Sequence, residues 1–201
     1  MNQAIFLDKD GTLIQDIPYN VDPKKVVLLP FVGEGLHMLS SLGYQLIIIS
    51  NQSGIARGYF NEEDLKKVYE RLKELLTPYS ISFAGFYYCP HDPMGRVAEY
   101  KKDCECRKPS PGLLYRASED QDIMLTKSWM IGDILDDCEA GRRAGCKTIL
   151  INNGNETKWN VSSKREPHFI ASTFLDAAEA IFNRDIKQNE LDKRKGLLHY
   201  E

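Results

Sequence analysis

No stretch of this 201-residue chain approaches the ~20 consecutive apolar residues that a membrane-crossing helix needs. The opening "MNQAIFLD" has neither a basic leader nor a small-residue cleavage site, so no signal peptide is read and the cytoplasm is the expected compartment. There is no basic excess either. The 26 Lys and Arg face 29 Asp and Glu, a net charge of −3, which argues against a broad nucleic-acid or anionic-membrane surface. No GxxxxGK[ST] run occurs, and the "GEG" at 33–35 lacks the rest of a dinucleotide fingerprint. Internal repeats and low-complexity tracts are missing. Cysteine is sparse and odd in number, and three of the five crowd one loop, which points to a bound metal rather than a disulfide framework.

What is present is an alternation of apolar runs and amphipathic stretches. "QAIFLD", "YQLIIIS", "ISFAGFYYC", "SWMIGD" and "KTILINN" read as buried strands, and "PHFIA" as a further short one. Between them, "GEGLHMLSSLG", "NEEDLKKVYERLKELL", "SPGLLYRASED" and "LDDCEAGRRAG" read as helices, and "TFLDAAEAIF" closes the series. Asn61 can cap the second helix, and Leu65, Val68, Tyr69, Leu72 and Leu76 form its apolar face. Residues 15–30, with Pro18, Asn20 and Pro23, read as a turn-rich excursion. The expected fold is α/β, a Rossmann-like parallel sheet with helices on both faces and a minimal cap made of loops. One domain is expected over residues 1–183, followed by a charged, frayed tail at 184–201.

In such sheets ligands bind at the carboxyl ends of strands, and the polar residues fall there. The first strand runs into Asp8 and Asp10, two like charges that need a cation or hydrogen bonds to be tolerated. An aspartate can attack phosphorus as a nucleophile, and a hard cation offsets the charges of carboxylate and phosphate. Asp8 is the candidate nucleophile. The chain turns at Gly11, so Asp10 can fold back toward a leaving group. Ser50 offers a hydroxyl, Lys108 a positive charge, and Asp133 with Asp137 a second acidic pair. Taken singly, each aspartate could be a turn or cap residue. Their joint placement at strand ends favours a site.

"DKDGTLI", "ISNQSGIARGYF", "CRKP" and "IGDILDDCEAGRRAG", taken in order, resemble the four motifs of haloacid-dehalogenase-like phosphatases, over about residues 3 to 154. The resemblance implies Asp8 as nucleophile and Mg²⁺ ligand, and Asp10 as general acid/base and ligand through its backbone carbonyl. It implies Asp133 as third Mg²⁺ ligand, Ser50 and Lys108 on the transferring phosphoryl group, and Asp137 as support for the lysine or the metal's waters. Asn51, Gln52, Arg57 and Arg107 are then the expected substrate-binding residues, with Arg107 gripping the substrate beyond the reacting phosphate.

A second cluster lies in one loop. Cys89, His91, Cys104 and Cys106 supply three thiolates and an imidazole, a donor set suited to a closed tetrahedral Zn²⁺ site, though the short spacings leave a Cys104–Cys106 redox pair open. Cys138 and Cys146 read as packed core thiols. The Cys-x-His…Cys-x-Cys loop is similar to that of the heptose bisphosphate and histidinol-phosphate branches of the family, and "NQSGIARGYFNEE" favours the former. The resemblance thus implies action on a small phosphorylated sugar, by removal of a heptose bisphosphate's 7-phosphate, and a monomer is expected. The alternatives are a phosphatase for histidinol phosphate or another small metabolite, and a non-catalytic zinc-stabilised binding module. One departure stands out. "NNGNETKWNVSSKREPHFI" is longer than the segment expected after the fifth strand, and its role is open.

Overall fold

The computed structural model describes residues 1–197, with side chains as far as 188. Six strands form a single sheet: β1 (Ala4–Leu7), β2 (Gln45–Asn51), β3 (Gly85–Cys89), β4 (Trp129–Gly132), β5 (Lys147–Ile151) and β6 (Phe169–Ala171). All neighbours pair in parallel in the order β3-β2-β1-β4-β5-β6. The order reverses between β1 and β4, which places the switch point at Asp8 and Asp133.

The alternation of side chains along β1 explains why it sits in the middle. Ile5 and Leu7 pack into one hydrophobic layer with α1 (Val32–Ser41), α3 (Glu62–Leu76) and α6 (Phe174–Leu197). Ala4 and Phe6 pack into the other with α4 (Gly112–Gln121) and α5 (Leu135–Ala144). Burial of both faces removes any need for an alternating apolar pattern, and each large side chain so buried contributes about 1.5–3 kcal/mol.

Asn61 caps α3 reciprocally with Asp64, and Leu65, Val68, Leu72 and Leu76 are buried along its inner face. β3 starts at Gly85 rather than at Ile81, because Ser80 takes a left-handed conformation and Ile81 and Phe83 pack against the core from an irregular segment. A one-turn helix, α2 (Gly54–Arg57), follows β2.

The last helix does not stop at residue 183, where the expected domain ends. α6 passes through it to Leu197, since "NRDIKQNELDKRK" holds good helix formers and no proline. Tyr44 donates a hydrogen bond to Asp185 Oδ2 at 2.8 Å, and Arg184 lies over the Trp129 ring, so this extension is tied to the body. Residues 198–201, the remainder of the expected frayed tail, lie outside the described residues. Among the described residues no helix is long and apolar enough to cross a membrane.

Candidate active site

The ends of β1, β2 and β4 converge with the segment that follows the cysteine loop. Lys108, 3 % exposed, extends its ammonium between two carboxylates, 2.5 Å from Asp8 Oδ1 and 2.6 Å from Asp137 Oδ1, and donates to the Ile49 carbonyl at 2.9 Å. Asp133, at the end of β4, accepts from Thr12 Oγ1 at 3.2 Å and from Asn155 Nδ2 at 2.7 Å. The carboxylates of Asp8, Asp133 and Asp137 offer oxygens within 4.8 Å of one another, and all three residues are buried.

The two aspartates of the first motif diverge. Asp10 accepts from Lys9 Nζ at 2.5 Å and from Gln52 Nε2 at 2.9 Å, and the same Gln52 nitrogen lies 2.8 Å from Ser50 Oγ. Asp10 is therefore held above the strand end beside Ser50, while Asp8 stays with the lysine. The chain turns directly after Asp10, at Gly11, whose φ is +82°. A Cβ there would also stand 2.1 Å from Asp133 Oδ2.

Three buried carboxylates share one buried ammonium, so the described cluster holds excess negative charge. Burial, opposed by Lys108 and reinforced by Asp137, Asp133 and Asp10, pushes the Asp8 carboxyl well above its usual range. Burial and the Asp137 charge push Asp133 up to about 7. Burial works against a charged Lys108, but Asp137 and Asp8 overcome it and hold the ammonium protonated. A cation among these acids would offset their charge. A hard divalent ion with oxygen ligands fits the donor set.

The rim is built from loops, as expected. Asp16, Ile17, Pro18, Tyr19 and Asn20 of the excursion after β1 face Asn51, Gln52 and Phe60 across a cavity of about 250 Å³, with Lys9 and Asp10 on its floor. Tyr19 meets Tyr59 edge to face, ring centroids 4.7 Å apart, which joins the two loops. The four expected substrate residues separate in their placement. Gln52 lines the cavity. Asn51 borders it, but both ends of its amide are on the Lys108 backbone, accepting from the N–H at 3.0 Å and donating to the carbonyl at 3.1 Å. Arg57 grips Asp92 Oδ2 through Nε and Nη2, both at 2.8 Å. Arg107 reaches the His91 carbonyl at 3.4 Å.

The sequence gives little sign of several other contributors. Lys9 sits inside the first motif yet has no assigned role there. Thr12, Asp92, Asn153 and Asn155 each make a contact, to Asp133, Arg57, Gly11 and Asp133 in turn, that spans 22 to 142 positions.

Cys89, His91, Cys104 and Cys106 come together. Their Sγ and Nδ1 atoms all lie within 4.8 Å, with Sγ–Sγ distances of 3.1, 3.2 and 3.5 Å and His91 Nδ1 3.2 Å from Cys106 Sγ. Tetrahedral zinc at its usual bond lengths spaces two thiolates by roughly 3.8 Å and a thiolate and an imidazole nitrogen by roughly 3.6 Å, so the four side chains would open by a few tenths of an ångström around the ion. The Cys89 hydrogen bond, ahead of those from Cys104 and His91, draws the Cys106 thiol down to about 5, in the direction of a thiolate. The cluster fits a structural zinc with all four positions filled by protein. Cys138 and Cys146 are buried elsewhere, as expected of core thiols.

The purified protein is accordingly expected to carry about one zinc per chain by elemental analysis. Stripping it with a chelator under reducing conditions should loosen the segment leading to Lys108, lower the melting temperature and cut turnover by on the order of 10²-fold, the usual consequence of displacing a reacting group by about 1 Å. A metal-free preparation with full activity would contradict this.

Comparison with known proteins gives consistent matches. Residues 105–177 match a family model described as HAD-hydrolase-like. Over 182 residues the chain is 36% identical to a D-glycero-beta-D-manno-heptose-1,7-bisphosphate 7-phosphatase of Pasteurella multocida, covering 90% of this chain and 97% of the relative. The Haemophilus influenzae protein of the same name is 41% identical, covering 77% and 84%. Among solved structures, a D,D-heptose 1,7-bisphosphate phosphatase from B. bronchiseptica, complexed with magnesium and phosphate, superposes with a TM-score of 0.79 at 26% identity, covering 90% of this chain and 99% of that one. A HAD-like phosphatase from Mesorhizobium loti gives 0.78 at 30% identity, covering 90% and 87%.

Proposed function

Since the chain belongs to the haloacid-dehalogenase-like phosphatase family of these heptose bisphosphate phosphatases, we propose that it removes the 7-phosphate of D-glycero-D-manno-heptose 1,7-bisphosphate through an aspartyl-phosphate on Asp8. The observation that carries the reading is the Lys108 ammonium lodged between Asp8 and Asp137, with Asp133 alongside, at the switch point of the sheet.

On this reading each residue has one task. The Asp8 carboxylate attacks the phosphorus, forming an O–P bond as the bond to the sugar oxygen breaks. Asp10, held by Gln52 beside Ser50, gives its proton to the departing alkoxide, then takes one from the water that cleaves the aspartyl-phosphate. The Ser50 hydroxyl and the Lys108 ammonium donate to the phosphoryl oxygens. Asp137, fully buried, keeps the lysine charged and aimed when the phosphoryl group draws it from Asp8. Asp8, Asp133 and the Asp10 backbone carbonyl would hold magnesium, which when bound supplies the positive charge that lets a carboxylate approach a phosphate. Asn51 fixes the Lys108 peptide, so this reading assigns it to positioning the lysine and not to gripping the sugar.

The second phosphate needs a cation of its own. Arg57 is committed to Asp92, and that leaves Arg107, one residue before Lys108, as the better candidate. Its planar fork can make two hydrogen bonds to phosphate. Arg107→Ala should reduce kcat/KM for the heptose bisphosphate by roughly 10- to 150-fold, the worth of a charge-assisted hydrogen bond, and much less for an aryl monophosphate. Equal losses on both substrates would place Arg107 on the reacting phosphate or on the fold. The whole reading is tested by phosphate release with Mg²⁺ from a panel of phosphomonoesters. Preference for histidinol phosphate over the heptose bisphosphate would overturn the substrate, and turnover of none would overturn the activity.

A further inference from the structure

The segment after β5, which has no counterpart in the four motifs, folds back over the carboxylate cluster. Asn153 Nδ2 donates to the Gly11 carbonyl at 2.6 Å, in the turn that follows Asp10. Asn155 N–H donates to Asn153 Oδ1 at 3.2 Å, and Asn155 Nδ2 donates to Asp133 Oδ2 at 2.7 Å. Glu156 Oε2 accepts from the Leu135 N–H at 2.7 Å, at the start of α5, the helix that carries Asp137. Farther along, Arg165 pairs with Asp136 Oδ1 at 2.5 Å and anchors the far end of the segment to the same helix. A Cβ on Gly11 would come within 2.5 Å of Asn155 Nδ2, so that glycine also makes room for this contact.

We propose that residues 153–165 form a strap across the site, in which Asn155 is a positioning residue that orients Asp133 toward the divalent cation. The inference rests on the reading of Asp8 and Asp133 as magnesium ligands.

A carboxylate oxygen has two lone pairs, and one amide hydrogen bond to Oδ2 leaves the other for a metal. Thr12 occupies one site on Oδ1 in the same way, so the two donors fix the plane of the Asp133 carboxylate from opposite ends without closing it to a cation. Groups that hydrogen-bond a metal's ligands typically carry about 10- to 100-fold in metal affinity or activity. Asn155 itself is exposed, so truncating it leaves no cavity in the core.

The test is Mg²⁺ binding by titration calorimetry on the full-length protein, without substrate, for the wild type, Asn155→Ala and Asp133→Asn. Asn155→Ala should weaken Mg²⁺ binding by about 10- to 100-fold. It should raise by a similar factor the Mg²⁺ concentration giving half-maximal turnover, while kcat at saturating Mg²⁺, KM for substrate and the melting temperature of the metal-free protein stay near wild type. Asp133→Asn should bind Mg²⁺ far more weakly than either. If Asp133→Asn loses Mg²⁺ but Asn155→Ala binds it within twofold of wild type, the strap has no positioning role and the inference falls. If Asp133→Asn binds as well as wild type, the assignment of the metal site is wrong, and the inference falls with it.

Discussion

Asp8→Asn is expected to abolish phosphate release while the metal-free protein melts no lower than the wild type. An amide is not a competent nucleophile toward phosphorus, and it removes a charged oxygen from the cation site. The stability half follows from the electrostatics. Burial, reinforced by Asp137, Asp133 and Asp10 and opposed by Lys108, raises the Asp8 carboxyl above its unfolded value. An acid raised on folding binds more protons folded than unfolded, so its ionisation costs stability once the pH passes the unfolded value. At neutral pH without metal, Asp8 therefore costs stability, and the neutral amide relieves that cost. Lys108 keeps Asp137 as a partner in the variant, so no ammonium is stranded. Turnover near wild type in purified Asp8→Asn would refute the mechanism. A large drop in the metal-free melting temperature would refute the electrostatic account of the cluster.

Asp10→Asn should fold normally and lose about 10²–10⁴ in kcat, the usual worth of a general acid/base. The effect depends on the leaving group. An alkoxide needs the proton that Asp10 delivers, whereas a nitrophenolate leaves nearly unaided. Formation of the aspartyl-phosphate from p-nitrophenyl phosphate should thus survive the substitution, and its hydrolysis, which needs Asp10 as base, should not. A burst of about one nitrophenolate per chain followed by slow turnover, measured by rapid mixing, is the expected trace. Parallel losses in burst and steady state would point to a positional role, because Asp10 also anchors Gln52 and Lys9.

The strands, the pairing of Asp8 with Asp10 and the gathering of Cys89, His91, Cys104 and Cys106 were legible in the sequence because each depends on local order: a buried run, a turn at Gly11, or four side chains within one loop. The sequence did not disclose what long-range packing decides. Arg57 reads as a substrate cation in the sequence, which carries no sign that Asp92, 35 positions on, takes two of its three nitrogens. Asn51 reads as a substrate ligand until the Lys108 peptide, 57 positions on, takes both ends of its amide. Asn155 has no local signal, since an Asn after a glycine reads first as a turn residue. The extension of α6 past residue 183 was obscured by composition. The same charges that suggest fraying are good helix formers once Tyr44 and Trp129 give the helix a surface to lie against.

The position of the switch point also orders events during synthesis. Residues up to 89 can form β3-β2-β1, leaving Asp8 at an open edge of the sheet, where β4 has yet to pair. Lys108 emerges later, and Asp133 with Asp137 later still. A nascent chain thus holds the nucleophile before it holds either the ammonium that balances it or the acids that complete the cation site. Because these contacts close loops of roughly a hundred residues, they form late and together. A chain arrested before β4 presents the N-terminal half of the sheet with an unpaired central strand, the kind of edge on which chaperones and aggregation compete.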